Sequence, residues 1–232
     1  MPTSHLPDET RYNFYHAIHK ALRLGHCRML PALGSHDYRD RARTGSLLSD
    51  LSNLMAVGRG HLEGENREIH AALEERRPGA SAHAADDHEY HEASFAEIET
   101  LIRAVEQAAV ADRDLAGRRL YRRYAAFVAH DLEHMDSEET ELLGALHEAF
   151  TDDELKAMEG RIVAAVPPQK MAAVMMLMVP ALNHVERVDL LAKLQKAMPE
   201  PAFNGLLTTA IKPSLDGKDY RAVVGELMLH AA

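Results

Sequence analysis

Two stretches carry the residues best suited to chemistry. His61 to Leu73 reads H-L-E-G-E-N-R-E-I-H-A-A-L, and 73 residues later His134 to Leu146 reads H-M-D-S-E-E-T-E-L-L-G-A-L. Each places a glutamate four residues after its histidine, Glu65 and Glu138, and closes on Ala-Leu. Upstream, His16-x-x-His19 precedes the first copy and His88-x-x-His91 the second, 72 residues apart. Imidazole and carboxylate together suit iron, manganese, zinc or copper, and the lack of cysteine ligands disfavours soft-metal and iron–sulfur sites. A histidine and a glutamate four apart on a helix share a face and lie about 6 Å apart along its axis.

The spacing alone is unspecific, because five of the 15 histidines (His5, His61, His70, His88 and His134) have a glutamate four residues on. The apolar seam selects two of them. One helix keeps Leu47, Leu51, Leu54, Gly58, His61, Glu65, Ile69 and Ala72 on a face; another keeps Leu120, Tyr124, Phe127, Asp131, His134, Glu138, Glu141 and Ala145. A carboxylate on a buried face must be paired, neutralised or metal-bound. His70 falls off its seam and His5 lies just before a proline, so neither is a candidate. Two further seams run Tyr12, Tyr15, His19, Leu22, His26, Met29, Leu33 and His88, His91, Phe95, Ile98, Ile102, Val105. A lone buried histidine is ordinary core. Ligand-type residues on four successive seams point instead to a metal site.

The elements that must position these residues are helices. The periodicity predicts helix one from just after Pro7 to about Leu30, stopped by Pro31 and Gly34, then helices over about 45–76, 82–111 and 118–149, with a break at Asp112 to Gly117. Long helices joined by short loops pack antiparallel, so the expected fold is all-α: an up-down four-helix bundle over residues 8–150. A smaller helical lobe over 151–232 comes next, opened by the capping box Thr151-Asp-Asp-Glu154 and broken at Pro180, Pro199, Pro201, Pro213 and Gly217. Thirteen of the 15 histidines precede residue 150, which places the chemistry in the bundle. The Met-rich run 171–178 is read as packing rather than as a sulfur site.

A net charge of -10 excludes nucleic acid and anionic membrane as partners, since nothing would neutralise phosphates. The single cysteine, Cys27, suits a reducing cytosol. MPTSHLPDET is not a signal peptide, and the longest apolar run, Met171 to Leu182, is too short to span a bilayer; the expectation is a cytoplasmic monomer or homodimer.

Two glutamates from different helices, each with two oxygens, can bridge two metals while five or six histidines cap them, so the donor set suits a dinuclear centre, di-iron first. At these residues the chain resembles the hemerythrin-like family, the HHE cation-binding domain, over roughly residues 10 to 150. His19 stands at the helix-one histidine, His61 with Glu65 and His134 with Glu138 at the two His-x-x-x-Glu motifs, and His88, followed by His91, at the helix-three position. The proline that family members carry ten residues after each motif histidine is Ala71 and Gly144 here. The resemblance implies two non-haem irons with bridging glutamates and an oxo or hydroxo bridge. It also implies O2, NO or peroxide as small-molecule partners, in roles from carriage and sensing to iron handling and peroxide removal. The candidate ligands are His16, His19, His61, Glu65, His88, His91, His134 and Glu138, with His16 resting on the internal repeat alone. Five histidines without His16 leave one coordination position open; His16 would fill it. His130 is a candidate to stand behind the ligands, and His26 is read as core.

Among rivals, a ferritin-like carboxylate protein would show Glu-x-x-His, and no histidine here has a glutamate three residues before it. A zinc hydrolase would use His130-Asp-Leu-Glu-His134, with Asp in place of the usual glutamate base. A di-iron peroxidase or oxidase is the other enzyme alternative. A purely structural helical protein leaves the buried glutamates unexplained.

Overall fold

The computed structural model describes residues 7–230, with backbone alone for Pro168, Leu229 and His230. His5 and most of the N-terminal stretch read as lacking signal-peptide features lie outside the described residues. The described residues form helices and no strands. Nine helical runs succeed one another among them: α1 (Tyr15–Ser35), α2 (Arg41–Glu65 continued by a π-helical turn Asn66–His70 and by Ala71–Arg76), α3 (Ala82–Gln107), and α4 (Arg113–Ser137, a π-helical turn Glu138–Leu142, then Leu143–Ala149). α5 (Asp152–Ala164), α6 (Pro168–Ala181), α7 (His184–Ala197), α8 (Glu200–Leu206, Leu207–Ile211 and Lys212–Ser214) and α9 (Gly217–His230) complete the set.

Helix one starts later and ends later than its sequence suggests. Asp8 closes a turn by accepting from Thr10 N and Oγ1, and Asn13 Oδ1 accepts from the Tyr15 and His16 amides to begin α1. Pro31 sits inside the helix, where it costs one backbone hydrogen bond and does not stop the chain until Ser35. α4 begins at Arg113, so Gly117 is helical instead of marking a break. The glycine makes room for a neighbour: a Cβ there would stand 2.3 Å from the ring of Tyr38, whose hydroxyl donates to the Leu33 carbonyl at 3.0 Å.

The chain divides into two compact units, Met1–His16 with Gly25–Ala165 and Ala17–Leu24 with Val166–Ala232. In the first, α3 packs against both α2 and α4, and the last turns of α2 meet those of α4. Tyr15, Ile69, Leu73, Leu142, Leu146 and Leu155 form one of its apolar clusters, which draws in α5. The capping box at Thr151 and Glu154 starts α5 as the sequence indicates. In the second unit, Ala21 joins Met175, Val179, Leu191, Phe203, Ile211 and Val223 in a separate core, and Met175 and Met178 are buried as apolar filler. Among the described residues no helix is long and apolar enough to cross a membrane.

Candidate metal centre

α2, α3 and α4 converge on the two predicted glutamates. Glu65 and Glu138 are 2% and 1% exposed, each one turn beyond its histidine on an unbroken helical stretch. His61 Nε2 lies 3.1 Å from Glu65 Oε1, and His134 Nε2 lies 3.4 Å from Glu138 Oε2. From α3, His88 Nε2 stands 3.6 Å from Glu65 Oε2 and 3.6 Å from Glu138 Oε1, so one imidazole nitrogen faces both carboxylates. Neither Glu65 oxygen accepts a hydrogen bond. Burial first, then the charges of Glu138 and Asp131, pushes the Glu65 carboxyl well above its ordinary range. The neighbouring phenol of Tyr15 is also pushed up, by burial and then by the same two glutamates.

The histidines are oriented from behind. His88 Nδ1 meets Asn66 Oδ1 at 2.7 Å, and His134 Nδ1 meets Asp87 Oδ2 at 3.1 Å. With these outer nitrogens engaged, the inner Nε2 atoms of His88 and His134 approach each other to 3.2 Å. Two nitrogens bound to one ion at about 2.1 Å would subtend about 100° at that separation, between the octahedral and tetrahedral values. A carboxylate or amide behind each ligating histidine is the usual means of fixing its tautomer and ring plane. His61, Glu65 and Glu138 each offer a ligand atom, the three within 4.8 Å of one another, and so do His70, His88 and Glu138.

These buried His/Glu groups stand within metal-binding distance. The chain matches no family model, no curated protein and no solved structure. What the site can hold is therefore read from its own donors, and oxygen and imidazole nitrogen without sulfur fit a borderline or hard transition metal.

His19 is fully buried on α1, in Ala17–Leu24, the segment grouped with the second unit. His16 is exposed on the first turn of α1. His91 is 2% exposed, but its Nε2 lies 3.0 Å from His130 Nδ1 and its Nδ1 lies 3.7 Å from Asp131 Oδ1. His130 Nε2 turns to Asp87 Oδ1 at 3.5 Å, so the His130/His134 pair of the hydrolase alternative faces Asp87 with both rings. His26 is buried as expected, bonded to the Tyr124 hydroxyl at 2.7 Å and 2.9 Å from Asp131 Oδ2. Burial pushes the Asp131 carboxyl up, yet His26, His91 and His134 outweigh it and hold it below its ordinary value.

Three residues escape the periodicity argument. Asn66 and Asp87 sit beside Glu65 and His88 in sequence, one step off each seam, from where they reach rings on a neighbouring helix. His70 is the larger correction: off the seam of a regular helix, it is 6% exposed and stacks on His88 with centroids 4.7 Å apart. The π-helical turn Asn66–His70 adds a residue to one turn and rotates the succeeding residues inward. The same shift in α4 exposes Glu141, which the seam places inside, and buries Leu142 and Leu143. Burial first, then the neighbouring His88, pushes the His70 ring down to about 4; burial also brings His91 down to about 4.

Proposed function

We propose that this chain is a non-haem di-iron protein of the hemerythrin-like type, which binds or responds to O2, NO or peroxide. In this reading α1 to α4 form an up-down four-helix bundle around the centre. His61, Glu65, His88, His134 and Glu138 hold the metals, and His19 of α1 is a further proposed ligand. The observation that carries the reading is the placement of both buried carboxylates 3.6 Å from the same His88 nitrogen, an arrangement suited to glutamates that bridge two ions. Bound iron would supply a redox-active pair with room for a small ligand. The chain's own residues set the tautomer of His88 through Asn66 and of His134 through Asp87, and exclude water with Tyr15, Ile69 and Leu142. The net charge of -10 argues against nucleic acid and anionic membrane as partners.

The test is anaerobic loading with Fe2+, removal of unbound metal, iron analysis, and absorption spectra before and after exposure to O2, NO and peroxide. Retained iron whose spectrum responds to one of these supports the reading. A chain that retains no iron, or retains it with a spectrum unmoved by all three, contradicts it.

A further inference from the structure

Among the described residues, His70 is the one buried imidazole near the glutamates with no polar partner for either ring nitrogen. A donor and an acceptor left buried and unsatisfied are costly, so such a ring calls for a partner that the polypeptide does not provide. His88, stacked on it, differs in this respect, since Asn66 engages its outer nitrogen. We propose that His70 is a metal ligand of this centre, taking the place among the imidazoles that the sequence gives to His91. The proposal rests on the di-iron reading and adds His70 to the ligands that the first unit supplies: His61, Glu65, His88, His134 and Glu138.

Geometry supports the exchange. His70 offers a nitrogen within 4.8 Å of ligand atoms of His88 and Glu138. The His70 and His88 rings are near-parallel with centroids 4.7 Å apart, and those of His88 and His134 meet edge-on at 4.9 Å, so the three imidazoles form one contiguous group. His91 packs edge-on against His134 at 4.7 Å, but its two nitrogens are turned to His130 and Asp131. The internal repeat cannot reveal His70, because the corresponding residue of the second copy is Leu143. The π-helical turn supplies the reason for the asymmetry: in both copies it turns the next residue pair inward, and only the first copy has a histidine there.

The experiment titrates wild type, His70→Phe and His91→Phe with Fe2+ alone and, separately, Zn2+ alone under anaerobic conditions, counting bound ions and their affinities. Phenylalanine keeps an aromatic ring against His88 and removes both ring nitrogens. Wild type and His91→Phe should each take up two ions. His70→Phe should keep one and bind the second more than about 100-fold more weakly, since even residues behind a ligand are worth about 10–100-fold. A readout on wild type covers the case in which a variant does not fold: on adding Zn2+ to protein with 15N-labelled histidine, a His70 ring nitrogen should move to the metal-bound range while those of His91 stay. Second-ion affinity within a few-fold of wild type in His70→Phe, or movement of His91 in place of His70, overturns the proposal and leaves the di-iron reading standing. Wild type that takes up no ion overturns both.

Discussion

Replacing Glu65 with glutamine separates what the carboxylate does for the fold from what it does for metal. In the metal-free protein this carboxyl is 2% exposed, neither oxygen accepts a hydrogen bond, and burial with Glu138 and Asp131 holds it toward its neutral form. Glutamine is neutral and nearly isosteric, so at neutral pH the metal-free variant should be at least as stable as wild type, which must keep neutral in the fold a carboxyl that ionises when unfolded. With metal the outcome reverses. An ion present at a hundredfold over its Kd stabilises the native state by about 2.7 kcal/mol, which for a protein of this size raises Tm by about 5–10 °C. An amide has one weak acceptor oxygen and no charge, and cannot bridge, so Glu65→Gln should lose more than half of that rise. Calorimetry of both proteins, with a chelator and then with Fe2+, measures the two effects. An undiminished Fe2+ shift in the variant refutes the bridging role. A metal-free variant weakened by more than about 3 kcal/mol would show instead that the carboxylate is a structural partner in its own right.

Three further outcomes are expected. His70 and His91 are pushed down to about 4 in the metal-free fold. Folded values below the ordinary 6.5 mean that stability present above pH 6.5 is lost as pH falls through about 4, by up to about 3 kcal/mol apiece. Glu65, pushed up, has the opposite sign, so the acid loss should steepen in Glu65→Gln; urea midpoints between pH 7 and pH 4 check both, and a flat profile contradicts them. Gly117→Ala would press a methyl group against the buried Tyr38 ring at 2.3 Å. Overpacking of about 1–3 kcal/mol should outweigh the gain of about 1 kcal/mol in helix propensity and lower Tm; an increase in Tm would show that Tyr38 moves aside freely.

The site was legible as far as a regular helical period runs. Leu51, Leu54, Glu65, Leu120, Tyr124, Phe127, Asp131, His134 and Glu138 are buried where a period near 3.6 puts them. Beyond Glu65 and Glu138 the π-helical turns displace the buried face by one residue, so His70, Leu73, Leu142, Leu143 and Leu146 replace the expected Ala72, Glu141 and Ala145. The run Leu142-Leu143-x-x-Leu146, set against the charged Glu141, carried that signal, since a regular helix would leave those leucines off the seam. The boundaries of α1 were hidden for a different reason. Asn13 caps the helix more effectively than the acidic run before it, and Pro31 is tolerated because losing one hydrogen bond inside a packed helix costs less than breaking it.

The proposed two-metal centre is tested most directly by counting ions. Wild type and Glu138→Ala would be loaded anaerobically with Fe2+, freed of unbound metal by gel filtration, and analysed for iron and zinc per chain. Two carboxylates shared between two ions require about two irons per chain in wild type, and less than about one after the bridge at Glu138 is removed. Wild type that retains no iron, that prefers a single zinc, or that matches Glu138→Ala in iron content would contradict a glutamate-bridged di-iron centre.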